Sequence, residues 1–450
     1  MTACAIEPAA GDRDGDQYGF SPRPGCVITV DGGYAARLTR SGDSWFPERW
    51  TLDGPEPYAV PLPGNQPEEP GTEVQPMGDG RVLIRRYAAG RHTFSLLYPT
   101  GPGTGELPLG AVECGDAALR LLPPAPGGDR AYALAVGPRS SAVWLVAGGA
   151  FGPEHAAEIP GRCSGGVWLD RSGRILALDR ELGGRTKSVV VDLERGGEMS
   201  PLLQIAADSD DRLLLADPDS GLLLIRSDAP SPGHARLGWG VLGSTLPVRF
   251  PECLRRSADC AVTPFAIQPG QVLTPESCGV ALRIDGPAGS WIGVWRPAER
   301  QVHHLPAPQG WLAGAGLWTA DGVLRLPYAT AGTPCGVAEL TAPEPVVGAD
   351  DVGGAGNTRG AGEAEAAAET RRGMAFAEAT GSVTGATGAL PGATGDACAE
   401  GPGRDGTASP SGLASGPPSE ADPPEPVAPR PVPLQQAPLA KGTLGRLVTK

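Results

Sequence analysis

Lysine is nearly absent from this chain of 450 residues: only Lys187, Lys441 and Lys450 occur, and arginine supplies the rest of the 37 basic residues. The 51 acidic residues outnumber them and leave a formal net charge of −14. Proteins that bind DNA or RNA concentrate basic side chains to neutralise phosphates, so this balance argues against a nucleic-acid partner. The scarcity of lysine, together with abundant Ala, Gly and Pro, favours a GC-rich bacterial genome such as an actinobacterial one.

Long apolar segments are missing as well. No stretch approaches the roughly 20 apolar residues that span a bilayer. The N-terminus, MTACAIEPAAGDRDGD, has neither the basic start nor the apolar run of a secretory signal. We therefore expect a cytoplasmic protein with no membrane segment. The nine cysteines run from Cys4 to Cys398 without a C-x-x-C pair, which predicts reduced, mostly buried thiols rather than a disulfide framework or a zinc site.

Two short motifs resemble chemical sites but lack the surroundings that such sites need. Gly238 to Gly243 reads G-x-G-x-x-G, the pattern that places a phosphate at a helix N-terminus, yet Pro247 and Pro251 break any helix that could follow it. Cys163 stands where a nucleophile elbow has its nucleophile, but a strand pattern rather than a helix comes next. A glycine-rich turn and a turn cysteine are the interpretations that the sequence favours.

No metal site is indicated either. The five histidines include no i, i+4 pair, and His303 and His304, adjacent on an expected strand, would point to opposite faces. One run of aspartates lacks the twelve-residue loop and terminal Glu of a calcium site, and hairpin turns use Asp for local backbone hydrogen bonds. These aspartates are Asp208, Asp210, Asp211, Asp217 and Asp219. We predict no catalytic, cofactor-binding or metal-binding residue, and no cofactor.

Composition divides the chain near Thr341. After it Ala, Gly, Pro, Ser, Thr and Glu dominate, and only Phe376 represents the aromatic residues. Too few large apolar side chains remain to offset the ordering entropy of roughly 1–2 kcal/mol per residue. We therefore expect residues 343–450 to form a disordered, acidic tail rich in Ala, Gly and Pro, and residues 1–342 to form the folded domain.

What the first three-quarters of the chain has in abundance is one repeated phrase: a turn rich in Asp and Gly, often an Arg, then several apolar residues. Clear copies are GDGRVLIRR, GGDRAYALAV, DRSGRILALDR and DSDDRLLLADP. Short apolar runs bounded by turn residues are typical of β-strands. The phrase begins, at intervals that average about 50 residues, at Gly25, Arg81, Arg130, Arg174, Arg212, Gly279 and Gly322.

This period is near that of propeller blades, and the chain resembles an all-β, seven-bladed β-propeller of the general WD40 or TolB-like kind over about residues 20–340. It lacks the WD dipeptide and the G-H pair of WD40 repeats. The resemblance implies a ring that closes by pairing of the chain ends, such as Thr2 to Ile6 with Val323 to Pro327 and Gly336 to Leu340. The alternative fold is two β-sandwich domains that divide near Pro160.

The longest interval, from Arg212 to Gly279, predicts an insertion within residues 228–278, which is a candidate functional loop. Trp239 and Trp311, flanked by glycines in expected loops, are possible binding anchors because Trp is enriched in binding hot spots. The lack of catalytic motifs favours a monomeric, non-catalytic scaffold for an unidentified protein partner. The alternative is a propeller enzyme, such as a metal-dependent hydrolase or lactonase, with its site at the central channel.

Overall fold

A computed structural model describes residues 25–114, 118–255, 259–270 and 274–343. In these ranges the chain forms seven antiparallel β-sheets, each built from strands that follow one another along the chain. Short hairpin turns connect most of these strands, as antiparallel pairing allows. The seven sheets are the blades of a β-propeller, which confirms the fold class expected from the repeated phrase.

The first four blades have four strands each. Blade 1 contains β1 (Val27–Ile28), β2 (Tyr34–Ser41), β3 (Ser44–Thr51) and β4 (Tyr58–Pro61). Blade 2 contains β5 (Glu73–Pro76), β6 (Val82–Ala88), β7 (Arg91–Pro99) and β8 (Thr104–Val112). Blade 3 contains β9 (Ala118–Leu121), β10 (Ala131–Val136), β11 (Ser140–Ala147) and β12 (Glu154–Pro160). Blade 4 contains β13 (Arg162–Trp168), β14 (Ile175–Leu182), β15 (Arg185–Asp192) and β16 (Glu198–Leu203).

Blades 5 and 7 have three strands and blade 6 has four. Blade 5 contains β17 (Asp211–Ala216), β18 (Leu222–Ser227) and β19 (Arg236–Val241). Blade 6 contains β20 (Ala261–Ile267), β21 (Val280–Gly286), β22 (Gly289–Trp295) and β23 (His303–Leu305). Blade 7 contains β24 (Leu317–Trp318), β25 (Val323–Tyr328) and β26 (Gly336–Thr341). Short 3₁₀ helices occur at Leu193–Arg195, Glu252–Leu254 and Pro275–Ser277. No helix within the described ranges has the length and apolar character needed to cross a membrane.

The first strand of each blade lies nearest the centre of the ring. Strand β1 contacts β5, β5 contacts β9, β13 contacts β17, and β17 contacts β20. In its own sheet this strand is always at one edge. Side chains and main-chain groups on the innermost strands are therefore the ones that border the central channel.

Apolar side chains fill the space between neighbouring blades. Leu134 of blade 3 and Leu176 of blade 4 are fully buried in one cluster, and Leu202 of blade 4 and Leu223 of blade 5 are buried in the next. The described residues form seven such clusters, one at each junction. Strands such as β10, in which all six residues are buried, fit this arrangement because both faces of a blade are covered.

The seventh cluster closes the ring. It joins Trp50 of blade 1, which is fully buried, to Ala315, which precedes the first strand of blade 7. Across the same junction Nη2 of Arg325 donates a hydrogen bond to the carbonyl oxygen of Leu52 at 3.0 Å. Packing and a polar contact thus hold the last blade to the first. The pairing expected for Thr2 to Ile6 lies outside the described residues.

The alternative of two β-sandwich domains is wrong. Pro160, the expected boundary, ends β12, and β13 begins at Arg162 as the inner strand of the next blade. The chain passes from blade to blade there as it does elsewhere in the ring. The tail expected over residues 343–450 lies outside the described residues, except for Pro343.

The repeated Asp turn joins the first and second strands of several blades. A carboxylate oxygen of Asp31 accepts a hydrogen bond from the main-chain N–H of Gly33 at 3.1 Å, and Asp79 accepts one from Arg81 at 3.0 Å. Aspartate serves here as a local hydrogen-bond acceptor, as expected for turn residues. The phrase that marks the repeat in the sequence is therefore a hairpin within a blade.

The blades are spaced more evenly than the sequence markers suggest. Arg212 lies within β17, the first strand of its blade, whereas most of the other markers directly precede a second strand. Between the starts of successive second strands the interval is 43 to 58 residues. The longest of these intervals separates β18 from β21. Strands β19 and β20 lie inside it, so residues 228–278 contain blade strands as well as the connection between blades 5 and 6. A functional loop in this range stays a prediction.

Candidate functional site

The two tryptophans expected to be binding anchors differ in position. Trp239 lies inside β19 and is only 3% exposed, so its expected position in a loop and its expected exposure are wrong. The reason is that Trp239 packs in the apolar cluster between blades 5 and 6. The glycine before it makes room for packing and not for a turn, because a Cβ on Gly238 would lie 2.8 Å from the ring of Phe250. Trp311 lies outside the strands, half-buried, and donates from Nε1 to the carbonyl oxygen of Ala315 at 2.8 Å. Its role as an anchor stays a prediction.

The two short motifs that resemble chemical sites in the sequence lie in strands of the blades and in a turn between them. Gly238 to Gly243 covers the end of β19 and the turn after it, so a turn rather than a helix follows these glycines. Cys163 lies in β13, 2% exposed, and burial raises the pKa of its thiol to about 11. A thiol with that pKa is protonated at neutral pH and is a poor nucleophile.

Several of the histidines and aspartates singled out in the sequence have partners within the protein. His304 accepts a hydrogen bond at Nδ1 from Trp291 Nε1 at 2.8 Å. Asp217 accepts hydrogen bonds from the main-chain N–H and the hydroxyl of Ser220 at 2.9 and 2.6 Å. Across the described ranges, no group of three or more His, Cys, Asp or Glu side chains is placed to hold a metal ion.

The group of polar side chains best suited to form a binding site lies at the inner strands of blades 3, 4 and 5. Its centre is a bulge in β13, where Ser164 pairs with Asp179 and the next pair is Val167 with Ala177. The two residues in the bulge are Gly165 and Gly166, with φ of 75° and 133°. Bulges of this kind occur beside functional sites, where they redirect side chains and free main-chain groups from pairing.

Two arginines reach this bulge from the blades on either side. Nη2 of Arg120, on β9, donates to the carbonyl oxygen of Gly165 at 2.7 Å. Arg212, on β17, donates from Nη1 to Ser164 Oγ at 3.0 Å and from Nη2 to Thr186 Oγ1 at 3.3 Å. Both side chains are half-buried, so each keeps some contact with solvent. Two guanidinium groups thus flank the inner edge of blade 4.

Beneath the bulge lies Asp179, which is only 4% exposed. Its Oδ1 accepts a hydrogen bond from Ser188 Oγ at 2.5 Å and one from the main-chain N–H of Leu213 at 2.9 Å. Burial raises the pKa of this carboxyl to about 6, although the two hydrogen bonds and the charges of Arg212 and Arg120 act in the opposite direction. The desolvation of the carboxylate outweighs its favourable contacts.

A second carboxylate fixes the strand that carries Arg212. The side chain of Asp211 is completely buried and forms an ion pair with Lys187 Nζ at 2.7 Å. It also accepts hydrogen bonds from the hydroxyls of Ser209 and Ser227 at 2.8 and 2.6 Å. These contacts tie β17 to blade 4 and so determine where the next residue, Arg212, is held.

This arrangement is suited to binding an anion rather than to nucleophilic attack. Arginine presents a planar set of donors that matches carboxylate and phosphate groups. Ser188 is fully buried and its hydroxyl donates to Asp179, so it is not placed to attack a substrate. Two pockets elsewhere, one beside Leu317 and one beside Trp239, have room for about one water molecule each and not for a small-molecule ligand.

Sequence reasoning missed Arg120, Asp179 and Arg212. The available signal was weak: Asp179 directly follows the apolar run of residues 175–178, but Arg180 and Glu181 come next, so Asp179 looks like the start of a polar strand end. A carboxylate at a buried strand position requires a partner. The sequence does not show that Arg120 and Arg212 lie near Asp179, because the three residues belong to different blades.

Known proteins offer similarity in fold only. No protein-family model and no curated protein sequence matches this chain. Prolyl oligopeptidase B from Galerina marginata is similar in structure, with 12% identity over 71% of this chain and a TM-score of 0.45; the chain covers 49% of that protein, about half its length. An oligogalacturonate lyase in complex with manganese shows 12% identity, 71% and 88% coverage and a TM-score of 0.46. TolB from Acinetobacter baumannii shows 10% identity, 68% and 79% coverage and a TM-score of 0.36. The expected propeller fold is confirmed by the seven blades themselves.

Proposed function

We propose that the protein is a non-catalytic interaction scaffold, a cytoplasmic monomer whose ring binds an acidic segment of a partner protein. The binding site is formed by the innermost strands of blades 3, 4 and 5. One observation carries this proposal: Arg120 and Arg212 approach the bulge of β13 from opposite sides, and both remain partly exposed.

The charge of the whole chain makes this pair distinctive. With a net charge of −14, the surface as a whole repels an acidic partner. Charges separated by more than about 8–10 Å are largely screened at physiological salt, so a local pair of guanidinium groups still attracts a carboxylate close to it. Binding should therefore depend on these two residues rather than on the average charge.

An extended peptide fits the surroundings of the arginines. Strand β13 is the edge strand of blade 4, so no further strand of the sheet pairs with its inner side. Two main-chain groups of β13 already have side-chain partners, the Cys163 N–H with Ser141 Oγ and the Gly165 carbonyl with Arg120. Edge strands offer such groups to an incoming chain. A peptide that carries several carboxylates could contact the edge of β13 and both guanidinium groups at once.

Fluorescence anisotropy with a fluorescein-labelled octaglutamate peptide tests the proposal on the full-length protein. We expect binding that weakens with added salt and falls about tenfold in Arg212→Met and in Arg120→Met, because each variant removes one charged contact. Arg195→Met is the matched control, since Arg195 is 51% exposed and lies in the turn between the last two strands of the same blade. Its affinity should stay within about twofold of the wild type.

Two results would contradict the scaffold site. One is equal affinity for octaglutamate in the wild type, Arg120→Met and Arg212→Met. The other is binding of an octalysine peptide as tightly as octaglutamate. Thermal melting of each variant shows whether a loss of affinity reflects a loss of folding.

A second candidate function is a propeller enzyme with its site at the same place. The raised pKa of Asp179 favours it, because such shifts cluster at functional sites and a carboxyl near 6 can exchange protons at neutral pH. Metal analysis of the purified full-length protein tests the metal-dependent version. A stoichiometric divalent ion, removed by a chelator together with hydrolase or lactonase activity, would favour the enzyme. Metal-free protein that still binds octaglutamate favours the scaffold.

A further inference from the structure

We propose that protonation of Asp179 controls the affinity of the arginine pair for anionic ligands, so that the site binds more tightly as the pH falls. This inference rests on the proposed function. It concerns the regulation of the same site, and its test is designed so that the two ideas can fail separately.

The geometry makes Asp179 and a bound anion compete for the same charges. Both Arg120 and Arg212 act electrostatically on the Asp179 carboxylate, one from β9 and the other from β17. Their donors bond to Gly165 and Ser164, and Ser164 is the residue of β13 that pairs with Asp179. A Cβ on Gly165 would lie 3.0 Å from Asp179 Oδ2, which shows how closely the bulge covers it. An ionised Asp179 therefore reduces the positive potential that the arginines present to a ligand.

The other groups that face Asp179 are neutral or already paired. Cys163, on β13, is a protonated thiol, and Ser188, on β15, is a neutral donor. Lys187, on β15, and Asp211, on β17, carry opposite charges and pair with each other. Protonation of Asp179 thus changes the net charge of the cluster by one unit without another described partner to compensate.

The direction of the pH effect follows from linkage. The carboxyl has a pKa of about 6, so it is mostly ionised at pH 7.5 and mostly protonated at pH 5. A ligand that binds better to the protonated form must raise the affinity of Asp179 for its proton by the same factor. Binding of an anion should therefore take up protons near pH 6, and affinity should rise as the pH falls.

The experiment uses a labelled octapeptide of cysteic acid, whose sulfonates stay ionised from pH 5 to 7.5. We expect the wild-type dissociation constant to fall at least fivefold between pH 7.5 and pH 5, which is within the usual range of coupling between sites. Asp179→Asn keeps an oxygen acceptor for Ser188 and Leu213 but no ionisable group, so its affinity should change less than twofold. Asp285→Asn on blade 6 is the matched control and should keep the full pH dependence.

Each outcome decides a different point. Wild-type binding that is independent of pH but weakened by Arg212→Met overturns the proton control and leaves the scaffold site standing. Equal pH dependence in the wild type and Asp179→Asn also overturns it. No binding at either pH overturns the proposed function itself. If Asp179→Asn does not fold, calorimetry of the wild type in two buffers of different ionisation enthalpy replaces it. Uptake of about a third of a proton at pH 6 supports the proposal, and no uptake overturns it.

Discussion

Replacing Lys187 with methionine tests how the strand that carries Arg212 is held in place. The side chain of Asp211 has no exposed surface, and Lys187 is its only cationic partner within the described ranges. Methionine keeps an apolar stem of similar length but removes the charge. Breaking a buried ion pair by removing one partner costs about 3–5 kcal/mol, because an uncompensated charge stays buried.

The remaining contacts of Asp211 favour a cost at the lower end of the range of about 3–5 kcal/mol. Asp211 keeps three donors after the substitution: the hydroxyls of Ser209 and Ser227 and the main-chain N–H of Ile205. We therefore expect a loss of about 3 kcal/mol in the free energy of unfolding. With an unfolding entropy of roughly 2.1 cal/mol/K per residue over the ordered ring, this corresponds to a fall of about 5 °C in Tm.

Thermal melting of the full-length protein, followed by tryptophan fluorescence, is the assay. Arg185→Met is the matched control, because Arg185 is exposed on the same strand and its loss should cost less than about 0.5 kcal/mol. The double variant Lys187→Met with Asp211→Asn should recover part of the loss, since no charge is then left unpaired. A Lys187→Met protein that melts within 1 °C of the wild type would show that the ion pair of Lys187 and Asp211 does not stabilise the fold.

Three further predictions concern ring closure, thiol reactivity and pH. Gly32→Ala should lower Tm more than Gly42→Ala: both have positive φ, but a Cβ on Gly32 would lie 2.4 Å from Leu317 Cδ2 of blade 7, whereas nothing lies within 4 Å at Gly42. Equal losses would argue against tight packing at the closure. Cys163 should resist iodoacetamide at pH 7.5 until the protein is denatured, because its thiol is buried and its pKa is about 11; rapid labelling in the native state, read by mass spectrometry, would contradict this. Since the Asp179 pKa is raised from 3.8 to about 6 in the folded state, the folded protein holds the extra proton in that window and stability should fall as the pH rises through it. The fall, measured by denaturant unfolding against Asp179→Asn, should be about 3 kcal/mol, and identical pH profiles would exclude it.

The ring was predictable because its signal is local. Each turn with Asp31 or Asp79 satisfies its own main-chain donors within a few residues, so the pattern is visible in the sequence without knowledge of the fold. The same locality misled at Arg212, where a similar turn precedes the first strand of a blade instead of the second. The count of seven was right, although the markers made the spacing of the blades look less even than it is.

The candidate site was not predictable because its signal is not local. Arg120, Asp179 and Arg212 meet only when blades 3, 4 and 5 are placed side by side, and no spacing along the chain encodes that contact. The error at Trp239 has a related cause. A glycine that makes room for Phe250 in a strand looks the same in the sequence as a glycine that makes a turn.

A crystal structure of the full-length protein with octaglutamate bound shows directly whether an acidic peptide binds at the arginine pair. We expect peptide density along the inner edge of β13, with carboxylates within hydrogen-bond distance of both Arg120 and Arg212. Peptide density on an outer strand or on a face of the ring, with the guanidinium groups still donating to Gly165, Ser164 and Thr186, would contradict this expectation.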